Sequence, residues 1–212
     1  METQEIIIEP KVDDVQEFIE IAMDFSNPLD LVREAISNAF DAQAKEILLD
    51  FSVVQIYGEK VLKIQITDNG TGMDLDGLKS FYDLGNSLRR NDEATIGEKG
   101  HGTKVFFNSK KIEVITTRNG KKYCAIMLNP SRELFDRRIP KVTVTTENVE
   151  MQEHGTSITI LGYNNDRREK FTHDQLKDYI LWFTKFGSIE CEFGKEENKD
   201  VKLKFKGVDK KN

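Results

Sequence analysis

Cysteine, proline and tryptophan are scarce in this sequence, which has 2, 4 and 1 of them among 212 residues. The two cysteines, Cys124 and Cys191, are far apart and each lies in an apolar run. This pattern does not fit a disulfide framework, and it predicts buried free thiols of a reducing compartment. No run approaches the roughly 20 apolar residues of a membrane-spanning helix, and the acidic N-terminus does not resemble a signal peptide. These absences predict a cytoplasmic protein without a membrane segment.

Positive charge is also in deficit, since the formal net charge is -6. An acidic balance argues against a surface that coats nucleic acid, so no nucleic-acid partner is indicated. A solvated strand edge and a tail explain the C-terminal lysines better than a nucleic-acid arm does. These lysines are Lys202, Lys204, Lys206, Lys210 and Lys211. A chain of this length can bury roughly 70 % of its unfolded surface, so it needs no disulfides.

The order of the predicted elements indicates the fold class. No internal repeat or low-complexity linker divides the chain, so we expect a single domain over residues 1–212. An N-terminal extension over residues 1–25 and a following segment after about residue 195 stay open. Periodicity predicts helices at 13–25, 27–45, 78–84 and from 172, and strands at 46–54, 61–67, 111–117, 122–128, 141–146, 156–161, 188–193 and 201–206. This order predicts an α+β fold, a two-layer α/β sandwich with helices on one face of a mixed, mostly antiparallel sheet.

Two of these helices have recognisable start signals. Asn27 is expected to cap the second helix, with Pro28 in its first turn and Asp30 near its positive end. The segment from Thr172 to Gln175 has the pattern of a capping box, which predicts a helix start there.

The second predicted helix has one polar face. At 100° per residue, Glu34, Asn38 and Asp41 fall within about 60° of one another, while Val32 and Ile36 lie on the opposite side. Taken alone, this is also the pattern of a solvated face on an amphipathic helix. The face becomes a candidate site only in combination with two later segments.

Seven of the 14 glycines lie between residues 68 and 103, which is typical of a functional loop. The stretch begins with Asp68-Asn-Gly-Thr-Gly-Met73 after a strand, and it lacks the ligand spacing of an EF-hand. It ends with Gly97-Glu-Lys-Gly-His-Gly-Thr-Lys104, which departs from a P-loop in its last residues and has no evident helix start. Its glycines allow backbone N–H groups to close on an anion, although a surface loop would have the same pattern.

In this order, the three segments resemble the GHKL superfamily of ATP-binding domains (the Bergerat fold), which includes gyrase, histidine kinases, MutL and the ninety-kilodalton heat-shock chaperone. The resemblance covers roughly residues 30–160, and Gly155-Thr156 adds a fourth match at a strand start. It implies that the chain binds ATP, or ADP, together with Mg²⁺. The Glu34 helix and residues 81–87 look closer to the heat-shock-chaperone and microrchidia branches than to gyrase.

The resemblance also implies a role for each matching position. Asn38 matches the family's magnesium ligand, and an amide oxygen suits a cation that is shared with phosphates. Asp68 matches the residue that accepts from the adenine amino group, and a carboxylate favours adenine over guanine because it only accepts. Thr156 matches the residue that supports this contact. The other positions expected at the nucleotide are Asp41, Ala42, Gly70, Gly72, Met73, Gly97, Lys99, Gly100, His101, Gly102 and Thr103.

Glu34 separates the hydrolysing members of the superfamily from the histidine kinases, which typically have Asn at this position. A carboxylate one helical turn from Asn38 can accept a proton from a water that attacks the γ-phosphorus, so we predict hydrolysis rather than phosphotransfer. The three histidines support this, because none lies in a long helical hairpin or has metal-ligand partners at the right spacing. They are His101, His154 and His173.

The sequence pattern does not identify the cation that would stabilise the transition state of hydrolysis. Hydrolysing members usually receive a Lys or Arg from a following domain. Lys99 or Lys104 is a candidate for charge near the phosphates. The resemblance implies that the glycine-rich segment at residues 97–104 belongs to a lid over the nucleotide, and Arg89 and Arg90 are assigned to the surface of this lid. We therefore expect slow turnover from this chain, as the N-terminal piece of a longer protein or by a different arrangement.

The family often dimerises when ATP closes the lid. The apolar run at residues 6–8 is a candidate for exchange between protomers, or for an edge strand on the same subunit. Two alternative functions stay open, namely a nucleotide-sensing module without useful turnover and a histidine-kinase-like phosphotransfer domain.

Overall fold

The computed structural model describes residues 13–23, 27–83, 102–187 and 200–209. The strands are β1 (Glu46–Ile56), β2 (Glu59–Asp68), β3 (Lys111–Arg118), β4 (Lys121–Leu128), β5 (Val142–Asn148), β6 (Gly155–Leu161) and β7 (Lys202–Lys206). The helices are α1 (Asp14–Met23), α2 (Asp30–Asp41), α3 (Leu75–Tyr82), α4 (Pro130–Phe135) and α5 (His173–Phe183). Short 3₁₀ helices lie at Gly102–Phe107, Tyr163–Asp166 and Lys185–Gly187.

The seven strands form one sheet in the order β5-β4-β3-β6-β2-β1-β7. Neighbouring strands are antiparallel, except that β7 runs parallel to β1. The sheet is therefore mixed and mostly antiparallel, as predicted. In its centre, Asp68 of β2 lies opposite Thr156 of β6, which lies opposite Thr116 of β3. This register places three polar residues in one row across three strands.

One face of the sheet is buried against the helices. The buried side chains alternate along β1, where Ile47, Leu49 and Phe51 are at most 2 % exposed. This is the period of two that a strand with one covered face requires. The apolar face of α2, including Val32 and Ile36, belongs to the same core cluster as these strand residues. The α+β sandwich predicted from the element order is confirmed.

Helix α2 is shorter than predicted at both ends. It begins at Asp30 rather than at Asn27, and the Asn27 side chain instead accepts a hydrogen bond from the Leu29 N–H at 3.1 Å. It ends at Asp41 because Gln43 adopts a φ of 59°. The Gln43 and Ala44 N–H groups donate back to the carbonyls of Phe40 and Ala39, which is the hydrogen-bond pattern of a Schellman motif.

Several other elements differ from the prediction. Helix α3 begins at Leu75 because the Asp74 side chain caps it by accepting from the Gly77 N–H at 2.8 Å. Helix α4 was not predicted, since six residues are too few for a visible period. Thr172 does precede α5, but no capping box forms, because its hydroxyl pairs with the Gln175 side chain instead of a backbone N–H. The predicted strand at 188–193 lies outside the described residues.

Three sequence-based expectations about the surface can also be compared with the structure. Cys124 is a free thiol, as predicted, but it is half-buried rather than fully buried. The lysines of β7 are exposed on an edge strand, as predicted for a solvated edge. None of the helices in the described ranges is long and apolar enough to cross a membrane.

Candidate functional site

The polar face of α2 is half-buried and not a solvated helix surface. The Asn38 amide nitrogen donates to Glu34 Oε1 at 2.9 Å, one helical turn away. Gly102, the first residue of a 3₁₀ helix, lies directly against the Glu34 carboxylate, and a Cβ at position 102 would overlap it. The first and third sequence motifs therefore meet at Glu34. No helix start near Gly102 was evident from the sequence, which was one reason for rejecting a P-loop. This prediction was wrong, because a short 3₁₀ helix begins at Gly102.

The environment of Glu34 favours its protonated form. Burial raises the pKa of the Glu34 carboxyl, and the nearby Asp41 acts in the same direction. The hydrogen bond from Asn38 and the positive charge of Lys104 offset part of this effect. A carboxylate whose pKa is raised in this way is a stronger proton acceptor than an exposed one.

Lys104 is fully buried beside this carboxylate, with 0 % exposure. Its Nζ donates to the Phe81 carbonyl at 2.9 Å and to Thr103 Oγ1 at 2.9 Å, while the Thr103 hydroxyl donates to the same carbonyl at 2.7 Å. Burial lowers the pKa of Lys104 to about 8, against the charges of Glu34 and Asp83. The ammonium therefore ties the 3₁₀ helix to the end of α3.

The second part of the candidate site lies at the end of β2. Asp68 Oδ1 accepts a hydrogen bond from the Gly70 N–H at 2.8 Å. Burial raises the pKa of Asp68 to about 6, although the Gly70 and Thr156 backbone N–H groups and His154 act in the opposite direction. At pH 7 this carboxylate is mostly ionised and can only accept hydrogen bonds.

The glycines after Asp68 have roles within the protein itself. A Cβ at Gly70 would lie 2.6 Å from the Ala42 carbonyl oxygen, and the Thr71 N–H donates to that same oxygen at 2.8 Å. Gly72 has a φ of +67°, and a Cβ there would overlap the Thr117 carbonyl. Both glycines are thus required for close packing of this loop against α2 and β3, which is a reason for them besides the predicted approach of a base.

Two residues at this site were not predicted as site residues from the sequence. Thr116 is 0 % exposed, and its hydroxyl contacts Thr156 and the backbone of Met73. His154 Nδ1 lies 2.8 Å from the Gly70 carbonyl oxygen. A signal for Thr116 existed, because it is a polar residue in phase with the inward-facing Ile112 and Val114 of β3.

The predicted site residues fall into two groups and an undescribed remainder. Glu34, Asn38, Gly102, Thr103 and Lys104 meet between α2 and the 3₁₀ helix. Asp68, Gly70, Gly72, Met73 and Thr156 meet at the ends of β2 and β6, with Ala42 joining the loop to α2. Asp41 is half-buried at the end of α2. Gly97, Lys99, Gly100, His101, Arg89 and Arg90 lie outside the described residues.

The described residues of the candidate site can be compared with the ligand sets of metal centres. No group of three or more His, Cys, Asp or Glu side chains that could hold a metal ion occurs in the part of the chain that the structure describes. His154 contacts a carbonyl, and the His173 ring stacks on Phe205 with centroids 4.6 Å apart.

Comparisons with known proteins identify the family and the fold of the chain. Residues 27–156 match the family model described as histidine kinase-, DNA gyrase B-, and HSP90-like ATPase, which is more than half of the chain. No curated protein matches the chain in sequence. The fold is similar to the topoisomerase IV ATP-binding domain of Francisella tularensis, solved with a small-molecule inhibitor, with a TM-score of 0.56 and 17 % identity over 91 % of this chain and 88 % of that one. That likeness shows a shared fold, while the family model assigns the sequence: the chain belongs to the histidine kinase-, DNA gyrase B- and HSP90-like ATPases, the GHKL superfamily.

Proposed function

We propose that this domain binds Mg-ATP and hydrolyses it slowly, as the nucleotide-dependent conformational switch of a larger protein. The observation that carries the proposal is the contact between Glu34, Asn38 and Gly102, which unites a carboxylate, an amide and a glycine backbone. Membership of an ATPase family supports ATP as the ligand.

Asp68 and Thr156 are proposed to recognise the adenine base. They lie directly opposite each other on β2 and β6, so their side chains emerge on the same face of the sheet. An ionised Asp68 accepts from an amino group and repels a carbonyl oxygen, which distinguishes adenine from guanine at position 6. Met73 is partly buried against the core, and its side chain is proposed to pack on the base.

Asn38 is proposed as the protein ligand of Mg²⁺. Its Nδ2 is engaged by Glu34, so its Oδ1 is the atom left for a cation, and a neutral oxygen fits an ion that is bound chiefly by phosphates. Bound with ATP, Mg²⁺ would neutralise charge on the phosphate oxygens. The glycines at 97, 100 and 102, with Lys99, are the proposed partners of those phosphates.

Glu34 is proposed as the general base that orients and deprotonates the attacking water. A base works best with a pKa near the working pH, and burial raises the pKa of Glu34 in that direction. Slow turnover follows from the state of Lys104, because this cation is buried and donates to Phe81 and Thr103. We propose that a Lys or Arg from a further domain of the protein accelerates the reaction, and that ATP promotes a homodimer.

Calorimetric titration with ATP, ADP and GTP, with and without Mg²⁺, tests the binding half of the proposal. We expect Mg-dependent binding of ATP and much weaker binding of GTP by the wild type. Asp68→Asn should lose this preference, since its amide both donates and accepts. Equal affinity of the wild type for ATP and GTP would refute the role of Asp68.

Hydrolysis is tested by phosphate release from the wild type and from Glu34→Gln. We expect weak turnover that disappears in the variant while ATP binding persists. Fast magnesium-dependent turnover by residues 1–212 would contradict the proposal that this domain hydrolyses ATP slowly. The second candidate function is a nucleotide-sensing module without turnover, and the buried state of Lys104 favours it. This function holds if no turnover occurs even when the further domain is present. Phosphate transfer to a protein would instead support the histidine-kinase-like alternative.

A further inference from the structure

The hydroxyl of Thr116 connects three parts of the adenine end of the site. Thr116 lies at an inward position of β3 and is completely buried. Its Oγ1 accepts from the Met73 N–H at 2.7 Å, donates to the Gly155 carbonyl at 3.3 Å, and lies 3.1 Å from Thr156 Oγ1. These contacts join the loop after β2 to the first two residues of β6.

The three contacts can all be hydrogen bonds for only one direction of the bond to Thr156. A threonine hydroxyl has one proton and two acceptor lone pairs. The Met73 N–H can only donate and the Gly155 carbonyl can only accept, so all three contacts are hydrogen bonds only when the Thr116 proton is directed at Gly155. Thr156 must then donate its own proton to Thr116. All three hydrogen-bonding capacities of Thr116 are filled in this arrangement.

This bond direction determines what Thr156 can offer to a ligand. With its proton directed at Thr116, the Thr156 oxygen has only lone pairs left. Its neighbour across the sheet, Asp68, is also an acceptor at neutral pH, so two acceptors lie side by side in the same row. An amino group with two hydrogens is complementary to such a pair, and a carbonyl oxygen is repelled by it.

We propose that Thr116 is a positioning residue for base selection: it holds the Thr156 hydroxyl as a pure acceptor beside Asp68, and so adds to the preference for adenine over guanine. This inference rests on the proposed function, because it assumes that the base lies at Asp68. Thr116 itself contacts no nucleotide and acts through Thr156 and the loop at Met73.

A matched set of variants separates this role from simple packing. Thr116→Val keeps the shape and removes the hydroxyl, whereas Thr116→Ser keeps the hydroxyl. Thr67→Val is the control, because Thr67 makes a comparable hydroxyl pair with Ser157, at 3.2 Å. This pair lies on β2 and β6, one residue along from Asp68 and Thr156, and is therefore on the other face of the sheet. The readouts are the dissociation constants for Mg-ATP and Mg-GTP, measured by calorimetry, and the unfolding midpoint of each variant.

We expect Thr116→Val to weaken ATP binding about tenfold, the effect of one lost hydrogen bond, and to change GTP binding less than about twofold. The ATP:GTP ratio should fall accordingly, while Thr116→Ser and Thr67→Val retain it within about twofold of the wild type. A purely structural role would lower the unfolding midpoint without changing the ratio.

Each outcome decides the proposal. If Thr116→Val keeps the wild-type ratio, or if Thr67→Val loses it equally, the role of Thr116 is refuted while ATP binding stands. If the wild type has no preference for ATP, the proposed function fails and this inference fails with it. If Thr116→Val does not fold, neutron diffraction from the wild-type protein decides instead: a Thr156 proton directed at Thr116 supports the proposal, and one directed away from it overturns it.

Discussion

Asp68→Asn is expected to stabilise the nucleotide-free domain at neutral pH. Burial raises the pKa of Asp68 from 3.8 to about 6, so the folded state disfavours the ionised form. The raised pKa means that protonated Asp68 contributes to the free energy of unfolding. This contribution is fully present below pH 3.8 and is lost as the pH rises through about 6. A rise of roughly two units corresponds to about 3 kcal/mol at pH 7. An asparagine removes this cost and still offers Oδ1 to the Gly70 N–H.

The assay is urea unfolding of the wild type and the variant at several pH values. We expect the variant to be more stable by about 2 to 3 kcal/mol at pH 7, which corresponds to about 5 °C or more in Tm, and by about 1 kcal/mol at pH 4.5. Asp76→Asn is the control: Asp76 is exposed on α3 and pairs with Lys79, so its removal should change stability by less than about 0.5 kcal/mol at each pH. A less stable Asp68→Asn at pH 7, or a difference that does not shrink in acid, would refute the reasoning.

Three further predictions concern buried contacts of the site. Gly72→Ala should lower the free energy of unfolding by at least about 2 kcal/mol, because φ is +67° and the Cβ overlaps the Thr117 carbonyl; an unchanged urea midpoint would contradict this. Gly102→Ala should cost less than about 1 kcal/mol, since the flexible Glu34 side chain can move aside, but phosphate release should fall as in Glu34→Gln. The stability of the wild type should rise by about 3 kcal/mol between pH 8 and 10.5, because the folded state favours the neutral form of the buried Lys104. Lys104→Met should lack this rise. The same dependence of the urea midpoint on pH in both proteins would exclude the prediction.

Most of the fold could be predicted from the sequence because its elements have strong periods. The strands of the sheet were found within a few residues wherever the structure describes them, since a sheet with one covered face imposes alternation. The boundaries of α2 were wrong for a local reason. Gln43 adopts a left-handed conformation that a glycine would have signalled, and the Asn27 side chain turns the chain before the helix begins.

The site could be predicted only as far as its motifs extend. Glu34, Asn38 and Asp68 stand in recognisable segments. The sequence marks Thr116 only as a polar residue at an inward position of β3, and its contact with Thr156 comes from strand register. Register between β3 and β6 is a long-range property that no local pattern encodes. The buried state of Lys104 was also hidden, because a lysine beside glycines is typical of an exposed phosphate-binding loop.

The two halves of the site are held in different ways, and this bears on how a switch would work. The half proposed to bind adenine is held by strand register and by the hydroxyl of Thr116, so its geometry depends on the sheet. The half proposed to be catalytic depends on one contact between α2 and a 3₁₀ helix, where Gly102 lies against Glu34, and on the ammonium of Lys104. A movement of that 3₁₀ helix would change the surroundings of Glu34 and leave Asp68 and Thr156 in place. If the proposed function holds, base recognition is therefore expected to persist in every state of the domain, and hydrolysis is expected only in the state in which Gly102 contacts Glu34.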